Sequence, residues 1–551
     1  MKIALAQINY HIGNFEQNTA NIIEQINIAK NKGVDIVVFS ELAVCGYPPQ
    51  DFLDFNDFIN RSLKAVETIA KECTDIAAIV GSPSVNPELE GKNLFNTAFF
   101  LADGKIYGKV HKALLPTYDV FDEYRYFEPN TKFNVIEYKG VKIALTVCED
   151  LWNVDDDPLY VTCPMDELIK QSPDVMINIA ASPFNYKQAE TRKTVMLKNV
   201  DKYKLPLFYL NHFGAHTDII FDGGSLVLND AGEVVKTFKN YEYDFDVFEL
   251  NDLISNQKNK INTDIPEASK EVKIERIHDA LVLGIKDYFG KLNFKKAIVG
   301  LSGGIDSAVT YALAARALGN ENVKGLLMPS HFSSDHSVDD AKKLAENLGS
   351  PHDVIAIEDL YHEFNKTLKP FFKDAPFDIT EENIQARIRG VLLMAYTNKY
   401  NYILLNTSNK SEMAVGYGTL YGDMNGGLSV IGDVYKTDVY RLAHYINNEK
   451  EIIPTNTITK EPSAELRPDQ KDSDSLPDYE VLDAILFQYI ERVQSIDRII
   501  NQGFDEATVK KVLRLVNINE FKRYQLAPTL RVSPKAFGRG RRLPIVAKYL
   551  S

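Results

Sequence analysis

Three residues able to do acyl chemistry sit at the ends of apolar runs in the first third of the chain. Glu41 follows Ile36–Ser40, Lys112 precedes Ala113-Leu114-Leu115-Pro116, and Cys148 follows Val141–Val147. A thiol can attack an amide carbon, a carboxylate can carry its proton to the departing amine, and an ammonium can stabilise the tetrahedral oxyanion. Taken singly the signals are weak. A lone cysteine closing a strand is more often a small buried hydrophobe, and a lone glutamate or lysine there is more often solvated. Together the three types form a complete amide-cleaving set.

A second constellation lies beyond the middle of the chain. Gly300-Leu301-Ser302-Gly303-Gly304-Ile305-Asp306-Ser307 continues a β-branched run that starts at Ala297 and opens a helical run from Ala308 to Leu318. Glycines let backbone amides approach phosphate oxygens, and a helix N-terminus adds a favourable dipole. Ser302 and Ser307 can donate hydroxyl hydrogen bonds, and Asp306 in a phosphate site makes sense as a magnesium ligand. The loop has no Gly-Lys-Ser/Thr ending, so it is not a Walker A loop. A plain glycine turn with an Asp or Ser cap is the competing reading.

The elements that must position these groups read as α/β. The first 250 residues hold short β-branched runs separated in part by helical stretches: Ile3–Ile8, Ile36–Phe39, Ile76–Val80, Ala98–Leu101, Val141–Val147, Val175–Ala181 and Leu207–Leu210. Between the first two, Ile22, Ile23, Ile26 and Ala29 recur at helical spacing, with Gly33 as the closing cap. Asp230-Ala231-Gly232 joins Ser225–Leu228 to Val234–Thr237 as a hairpin. The apolar pattern vanishes at 251–271, which reads as a linker between a domain at 1–250 and a second α/β domain at 272–551. Within the latter, Thr459 to Tyr479 is rich in Pro, Ser, Asp and Glu and is expected to be a long, mobile surface loop with a function. In open α/β folds, sites gather beyond the carboxyl ends of strands, so distant positions such as Glu41, Lys112 and Cys148 can converge.

The chain has 551 residues, 45% hydrophobic and 25% charged, as expected of a soluble enzyme of two or more domains. Met1 to Asn9 reads as a first strand rather than a signal peptide, and no apolar run is long enough to cross a membrane. Cys45, Cys73, Cys148 and Cys163 form no C-x-x-C pair, which argues against a zinc site or disulfide framework and fits the cytoplasm. A formal net charge of −14 lowers the expectation of a nucleic-acid partner, although Lys535 to Arg542 is a local basic stretch.

The residues around the first trio carry a resemblance. Phe39-Ser40-Glu41-Leu42-Ala43-Val44-Cys45-Gly46-Tyr47-Pro48-Pro49, Lys112-Ala113-Leu114-Leu115-Pro116-Thr117-Tyr118-Asp119-Val120-Phe121-Asp122-Glu123 and Cys148-Glu149-Asp150-Leu151-Trp152 resemble, in order, the carboxylate, lysine and nucleophile motifs of the nitrilase (carbon–nitrogen hydrolase) superfamily. The resemblance implies a four-layer α-β-β-α sandwich, with Glu41 as general base and acid, Lys112 as oxyanion stabiliser and Cys148 as nucleophile. It gives Tyr47, Tyr118 and Glu123 supporting roles. Ala181-Ser182-Pro183-Phe184 resembles a substrate-contacting stretch and points to Ser182, with Lys187 and Gln188 as alternatives for a further contact to glutamine.

The glycine loop resembles the PP-loop of the ATP pyrophosphatases, which split ATP into AMP and pyrophosphate on a doubly wound parallel sheet. The stretches Asn383–Arg389, Thr407–Glu412, Tyr421–Asp423, Asp433–Thr437, Pro462–Leu466 and Phe521–Arg523 resemble the NAD synthetase pattern within that group. Carried over, Gly300, Leu301, Ser302, Gly303, Gly304, Ile305, Asp306 and Ser307 would hold ATP with Thr407, Lys436 and Ser463. Asn383, Glu412 and Lys522 would contact deamido-NAD, and Asp306 with Glu412 would hold magnesium. Lys535–Arg542 resembles the closing segment of the family, with a solvated basic tail as the alternative. The joint resemblance implies that glutamine-derived ammonia converts an adenylated nicotinate carboxylate into an amide, in a homo-oligomer; no nucleic-acid or membrane partner is expected, from the acidic charge and the shortness of the apolar runs. Because free ammonia is protonated in neutral water, a sheltered passage between the two sites is expected.

Other readings keep part of these features. Another ATP-dependent amidotransferase would share both motif sets, but Met1-Lys2 excludes an N-terminal cysteine glutaminase and Val147-Cys148-Glu149 lacks a glycine-flanked elbow. A tRNA-modifying PP-loop protein would favour a basic face or a cysteine pair. A scaffold with decayed sites would not be expected to keep Glu41, Lys112, Cys148 and Asp306.

Overall fold

The computed structural model describes residues 1–155, 157–255, 261–468 and 470–549. Part of the expected linker, residues 256–260, lies outside the described residues. By packing, the chain forms two compact units, Met1–Ala268 and Ser269–Ser551.

The first unit contains two six-stranded mixed sheets of matching design. In one, Lys2–Gln7 pairs in parallel with Ile36–Val38, which pairs in parallel with Ala77–Val85, and Leu94–Ala102 and Lys105–His111 follow antiparallel. In the other, Val141–Val147, Val175–Ala180 and Leu207–Asn211 run parallel, with antiparallel strands at both ends.

Side-chain alternation along the first sheet divides its residues between two cores. Ile3, Leu5, Val38, Ile79 and Phe100 pack with Ile143, Leu145 and Ile177 of the other sheet. Ala4, Ala6, Val37, Val80 and Phe99 pack instead with Ile22, Ile26, Val66 and Ile69 of the helices Phe15–Asn31 and Asn56–Glu72. On the far side of the second sheet, helix Gln188–Tyr203 contributes Val195, Met196 and Val200. Helix, sheet, sheet and helix therefore stack as the expected four layers.

Helix Phe15–Asn31 starts at Asn14, whose side chain accepts from the Gln17 amide, and ends before Gly33 at φ 65°, as its apolar spacing and glycine predict. Burying Ile22 and Ile26 fully contributes about 1.5–3 kcal/mol each.

The second unit is built on a five-stranded, all-parallel sheet in the spatial order His352–Val354, Val323–Leu327, Ala297–Leu301, Ile403–Asn406, Leu428–Ser429. Chain order runs outward in one direction from Ala297–Leu301 and then restarts on its other side. The carboxyl ends of Ala297–Leu301 and Ile403–Asn406 thus flank a topological switch point, where such sheets leave a crevice. No helix among the described residues is long and apolar enough to cross a membrane.

Two candidate active sites

Glu41, Lys112 and Cys148 converge at the carboxyl ends of strands in the first unit, and all three are buried, with exposures of 0, 1 and 4%. The Lys112 Nζ lies 2.8 Å from Glu41 Oε1 and 2.8 Å from Glu123 Oε1. Asn96 donates to Glu41 Oε1 at 2.7 Å, the Ala181 amide donates to Glu41 Oε2 at 3.0 Å, and the Tyr47 hydroxyl donates to Glu123 at 2.8 Å. Burial works against the Lys112 ammonium, but the charges of Glu123 and Glu41 overcome it and hold its pKa well above the ordinary lysine range. Burial and the remaining carboxylate charge push the Glu123 carboxyl up to about 7.

Cys148 follows Val141–Val147 directly and sits at φ 43°, a left-handed conformation that few non-glycine residues adopt. The Asp150 carboxylate stabilises this turn. It accepts from the Val147 amide at 3.0 Å and from the Ala113 and Leu114 amides, both at 2.9 Å, so the segment after Lys112 is tied to the cysteine. Burial, reinforced by the Glu41 charge, pushes the Cys148 thiol well above its usual range. A thiol held neutral in this way needs a base to become a nucleophile, and of the two carboxylates on Lys112 it is Glu41 whose charge acts most on the thiol.

Tyr118 donates to Glu149 at 2.9 Å rather than to the Lys112 cluster, and Tyr160 donates to the same Glu149 oxygen at 3.1 Å. Ser182 is buried, and Gln188 Nε2 lies 3.2 Å from its hydroxyl oxygen. Lys187 turns away to pair with Glu267 at 2.8 Å. Of the two alternatives, Gln188 is the one that reaches Ser182.

In the second unit, Gly300 to Ser307, Thr407, Lys436 and Ser463 all line one cavity of about 280 Å³, and Glu412 lines it too. The loop owes its shape to Gly303, at φ 80°, where a Cβ would stand 2.3 Å from the Ser337 carbonyl oxygen. Helix Ile305–Leu318 begins at Gly304 without a side-chain cap, so the alternative of an Asp or Ser N-cap does not hold. Its first amides are left to face the cavity, a geometry that suits an anion. Ser302 Oγ accepts from the Gly304 amide at 3.2 Å, and Ser307 Oγ donates to the Gly304 carbonyl at 2.9 Å.

The Lys436 ammonium bridges Asp306 and Glu412, and Asn409 donates to the other Asp306 oxygen at 2.9 Å. Burial, with the nearby Asp306 charge, pushes the Glu412 carboxyl up to about 8. Among the described residues no group of three or more His, Cys, Asp or Glu is placed to hold a metal on its own.

The three residues expected to contact deamido-NAD do not all face the cavity. Asn383 accepts from the Thr419 hydroxyl at 2.7 Å, and Lys522 donates to the Gly416 and Gly418 carbonyls at 2.7 and 2.8 Å. Both hold the turn that follows helix Lys410–Val415, the helix carrying Glu412. The segment after Thr459, expected on the surface, places Lys460, Ser463 and Glu465 in the cavity and buries Asp472 and Leu476. The basic stretch from Lys535 is not a solvated tail. Ala536 and Phe537 are buried, Arg541 pairs with Glu520 at 3.0 Å, and the Lys535 carbonyl accepts from the buried Lys410.

Two residues outside every quoted motif also bear on the first site: Asn96 donates to Glu41 and Asn211 accepts from the Ser182 amide. Arg389, in the Asn383–Arg389 stretch but not singled out there, lines the cavity, where burial lowers its pKa to about 10. Asn96 and Asn211 lie on or at the end of strands, and polar residues there look like any solvent-facing position until the partner sheet is in place.

Comparisons with known proteins agree with this division. The carbon-nitrogen hydrolase profile matches residues 2–156, and the NAD synthase profile matches residues 277–526. The glutamine-dependent NAD(+) synthetase of Synechocystis sp. is 44% identical over 99% of both chains, and that of Thermotoga maritima is 38% identical over 100% of this chain and 99% of its own. The structure of the glutamine-dependent NAD+ synthetase from Acinetobacter baumannii in complex with adenosine diphosphate is 38% identical, with a TM-score of 0.76 over 99% of this chain and 98% of that one. The Cytophaga hutchinsonii enzyme, 22% identical with a TM-score of 0.83 over 100% of this chain and 98% of that one, shows the same fold. With a nitrilase-like unit, a PP-loop unit and full-length relatives of this identity, the chain belongs to the glutamine-dependent NAD(+) synthetase family.

Proposed function

We propose that the chain amidates deamido-NAD to NAD, hydrolysing glutamine in the first unit and cleaving ATP to AMP and pyrophosphate in the second. In this reading residues 1–250 are the glutaminase, 272–551 the synthetase and 251–271 the segment that joins them. The observation that supports it best is the sealed Glu41–Lys112 ion pair at Cys148, with exposures of 0% on both charged side chains.

The steps assign one task to each group. Cys148 attacks the side-chain amide carbon of glutamine as Glu41 takes the thiol proton. Lys112 stabilises the oxyanion. Glu41 returns the proton to the leaving nitrogen, ammonia departs, and water then releases glutamate from the thioester. Glu123 and Tyr47 hold Lys112 in place, while Ser182, Gln188 and Tyr118 shape the glutamine pocket. Passage of the ammonia along a sheltered route would keep it unprotonated.

In the second unit the amides of Gly300–Ser307 cradle phosphate, and Thr407, Lys436 and Ser463 complete the ATP site. Asn383, Glu412 and Lys522 form or brace the deamido-NAD site. Asp306 and Glu412 fit a magnesium ion. They are oxygen donors gathered on one ammonium, that of Lys436, and a magnesium ion completes its shell with water and substrate phosphates. When bound, it would neutralise charge on the departing pyrophosphate. The family likeness and the four free cysteines support a homo-oligomer working in the cytoplasm.

The test is direct: incubate the chain with ATP, Mg2+, deamido-NAD and either glutamine or ammonium, and assay NAD, AMP and pyrophosphate. NAD should form from both nitrogen sources with one AMP per NAD. Formation of ADP and phosphate in place of AMP and pyrophosphate would contradict the reading.

A further inference from the structure

The backbone donor that fixes Glu41 is itself aimed by a residue outside every motif. Asn211 ends strand Leu207–Asn211 and is fully buried. It pairs in register with Ala180, the last residue of the neighbouring strand. Beyond that point the ladder stops, and the Asn211 side chain continues it. Its Oδ1 accepts from the Ser182 amide at 2.8 Å, and its Nδ2 donates to the Ser182 carbonyl at 3.3 Å. Both backbone polar groups of Ser182 are thereby clasped by one side chain. The preceding amide, Ala181 N–H, is left pointing at Glu41 Oε2 at 3.0 Å.

Asn211 has little freedom to turn. Its Nδ2 also donates to the Gly223 carbonyl at 3.0 Å, and its own amide donates to Ser225 Oγ at 3.0 Å. The Gly223 carbonyl is shared with the buried Arg192, which pairs with Asp222 at 2.7 Å. Ser225 in turn donates to Gln7 at 2.8 Å. A buried network of this kind holds the Asn211 amide in one arrangement, since any rotation of it would leave the Ser182 and Gly223 groups unpaired.

We infer that Asn211 is a positioning residue of the glutaminase, holding the Ala181 amide so that Glu41 is presented to Cys148 in one orientation. This rests on Glu41 being the base for Cys148. The Ser182 hydroxyl engages Gln188 rather than Asn211, so the effect falls on the chemical step more than on glutamine binding. Misplacing a catalytic group by about 1 Å can cost on the order of 100-fold in rate.

The experiment compares Asn211→Ala with wild type in the full chain. Expected are a fall in kcat for glutamine hydrolysis of roughly 10- to 100-fold, a KM for glutamine within about threefold of wild type, and unchanged ammonium-driven NAD formation. A wild-type kcat, or a loss confined to KM, would overturn the inference. So would a parallel loss of ammonium-driven activity with a lowered melting temperature, which would mark a purely structural residue. Cys148→Ala serves as the control: glutamine hydrolysis persisting in that variant would strike the assignment of the nucleophile, whatever Asn211→Ala does.

Discussion

Lys112 and Glu41 face each other at 2.8 Å with neither side chain exposed to solvent, and Glu123 closes on the same ammonium from its other side. Two carboxylates around one buried cation leave the cluster with an excess of negative charge. That excess resists formation of a thiolate at Cys148 until a proton can pass to one of the carboxylates. The resting site is therefore a neutral thiol beside a base.

Replacing Cys148 separates the two activities. Cys148→Ala should abolish NAD formation from glutamine and leave ammonium-driven formation intact, because the glycine loop and its cavity belong to the other unit. Parallel assays with the two nitrogen sources check this. Equal failure of both in a well-folded variant would defeat the division of labour.

Removing the cation should be costly to the fold. Lys112→Met leaves Glu41 and Glu123 buried without their partner, and breaking one side of a buried ion pair costs about 3–5 kcal/mol. Thermal melting should show a clear drop, and glutamine hydrolysis should be lost. A variant as stable as wild type would mean that solvent reaches this cluster.

The raised Glu123 carboxyl sets a pH dependence. Its pKa stands at about 7 in the fold, above its ordinary 4.5, so between those values the folded chain holds a proton that the unfolded chain has lost. Stability from this group is complete below about 4.5 and is lost as the pH rises through about 7. Over that window, denaturant unfolding of Glu123→Gln should show a smaller decline with pH than wild type. An identical pH slope in both would remove Glu123 as the cause.

The glycine loop should tolerate no side chain at its left-handed turn. Gly303→Ala must hold φ near 80° and place a methyl 2.3 Å from the Ser337 oxygen. The conformation alone costs roughly 1–2 kcal/mol, and relieving the clash shifts the loop off its phosphate. Ammonium-driven NAD formation should fall at least about tenfold, on the scale of a displaced catalytic group, and wild-type synthesis would contradict the phosphate assignment.

Chelation of divalent metal should divide the activities again. With EDTA in excess, NAD formation should stop while glutamine hydrolysis continues, because the first site supplies its own cation in the Lys112 ammonium. Loss of both would show that the glutaminase also needs the ion, or needs the other site filled.

The sequence by itself determined the elements and the chemical inventory. Runs such as Val141–Val147 and Ala297–Leu301 are strands because they are short, rich in β-branched and other apolar residues, and mostly buried on both faces, a signal carried by local composition. The strand Lys105–His111 was not legible in the same way, since it alternates between exposed and half-buried positions. Lys112 was found by its motif rather than by its strand. The glycine loop was readable because strand, glycines and helix are consecutive.

Tertiary structure decided which of these groups meet. Glu41, Asn96, Lys112, Glu123 and Ala181 come from five separate segments that meet only in the fold, and the Ala181–Glu41 bond forms only when the two sheets have stacked. Chain packing also turned Gln188 rather than Lys187 toward Ser182, and it buried the segment after Lys535 against Lys410 and Glu520. No local propensity encodes such choices. A buried polar group is fixed by the partners that replace its lost water, and those partners lie at sequence distances that no short pattern spans.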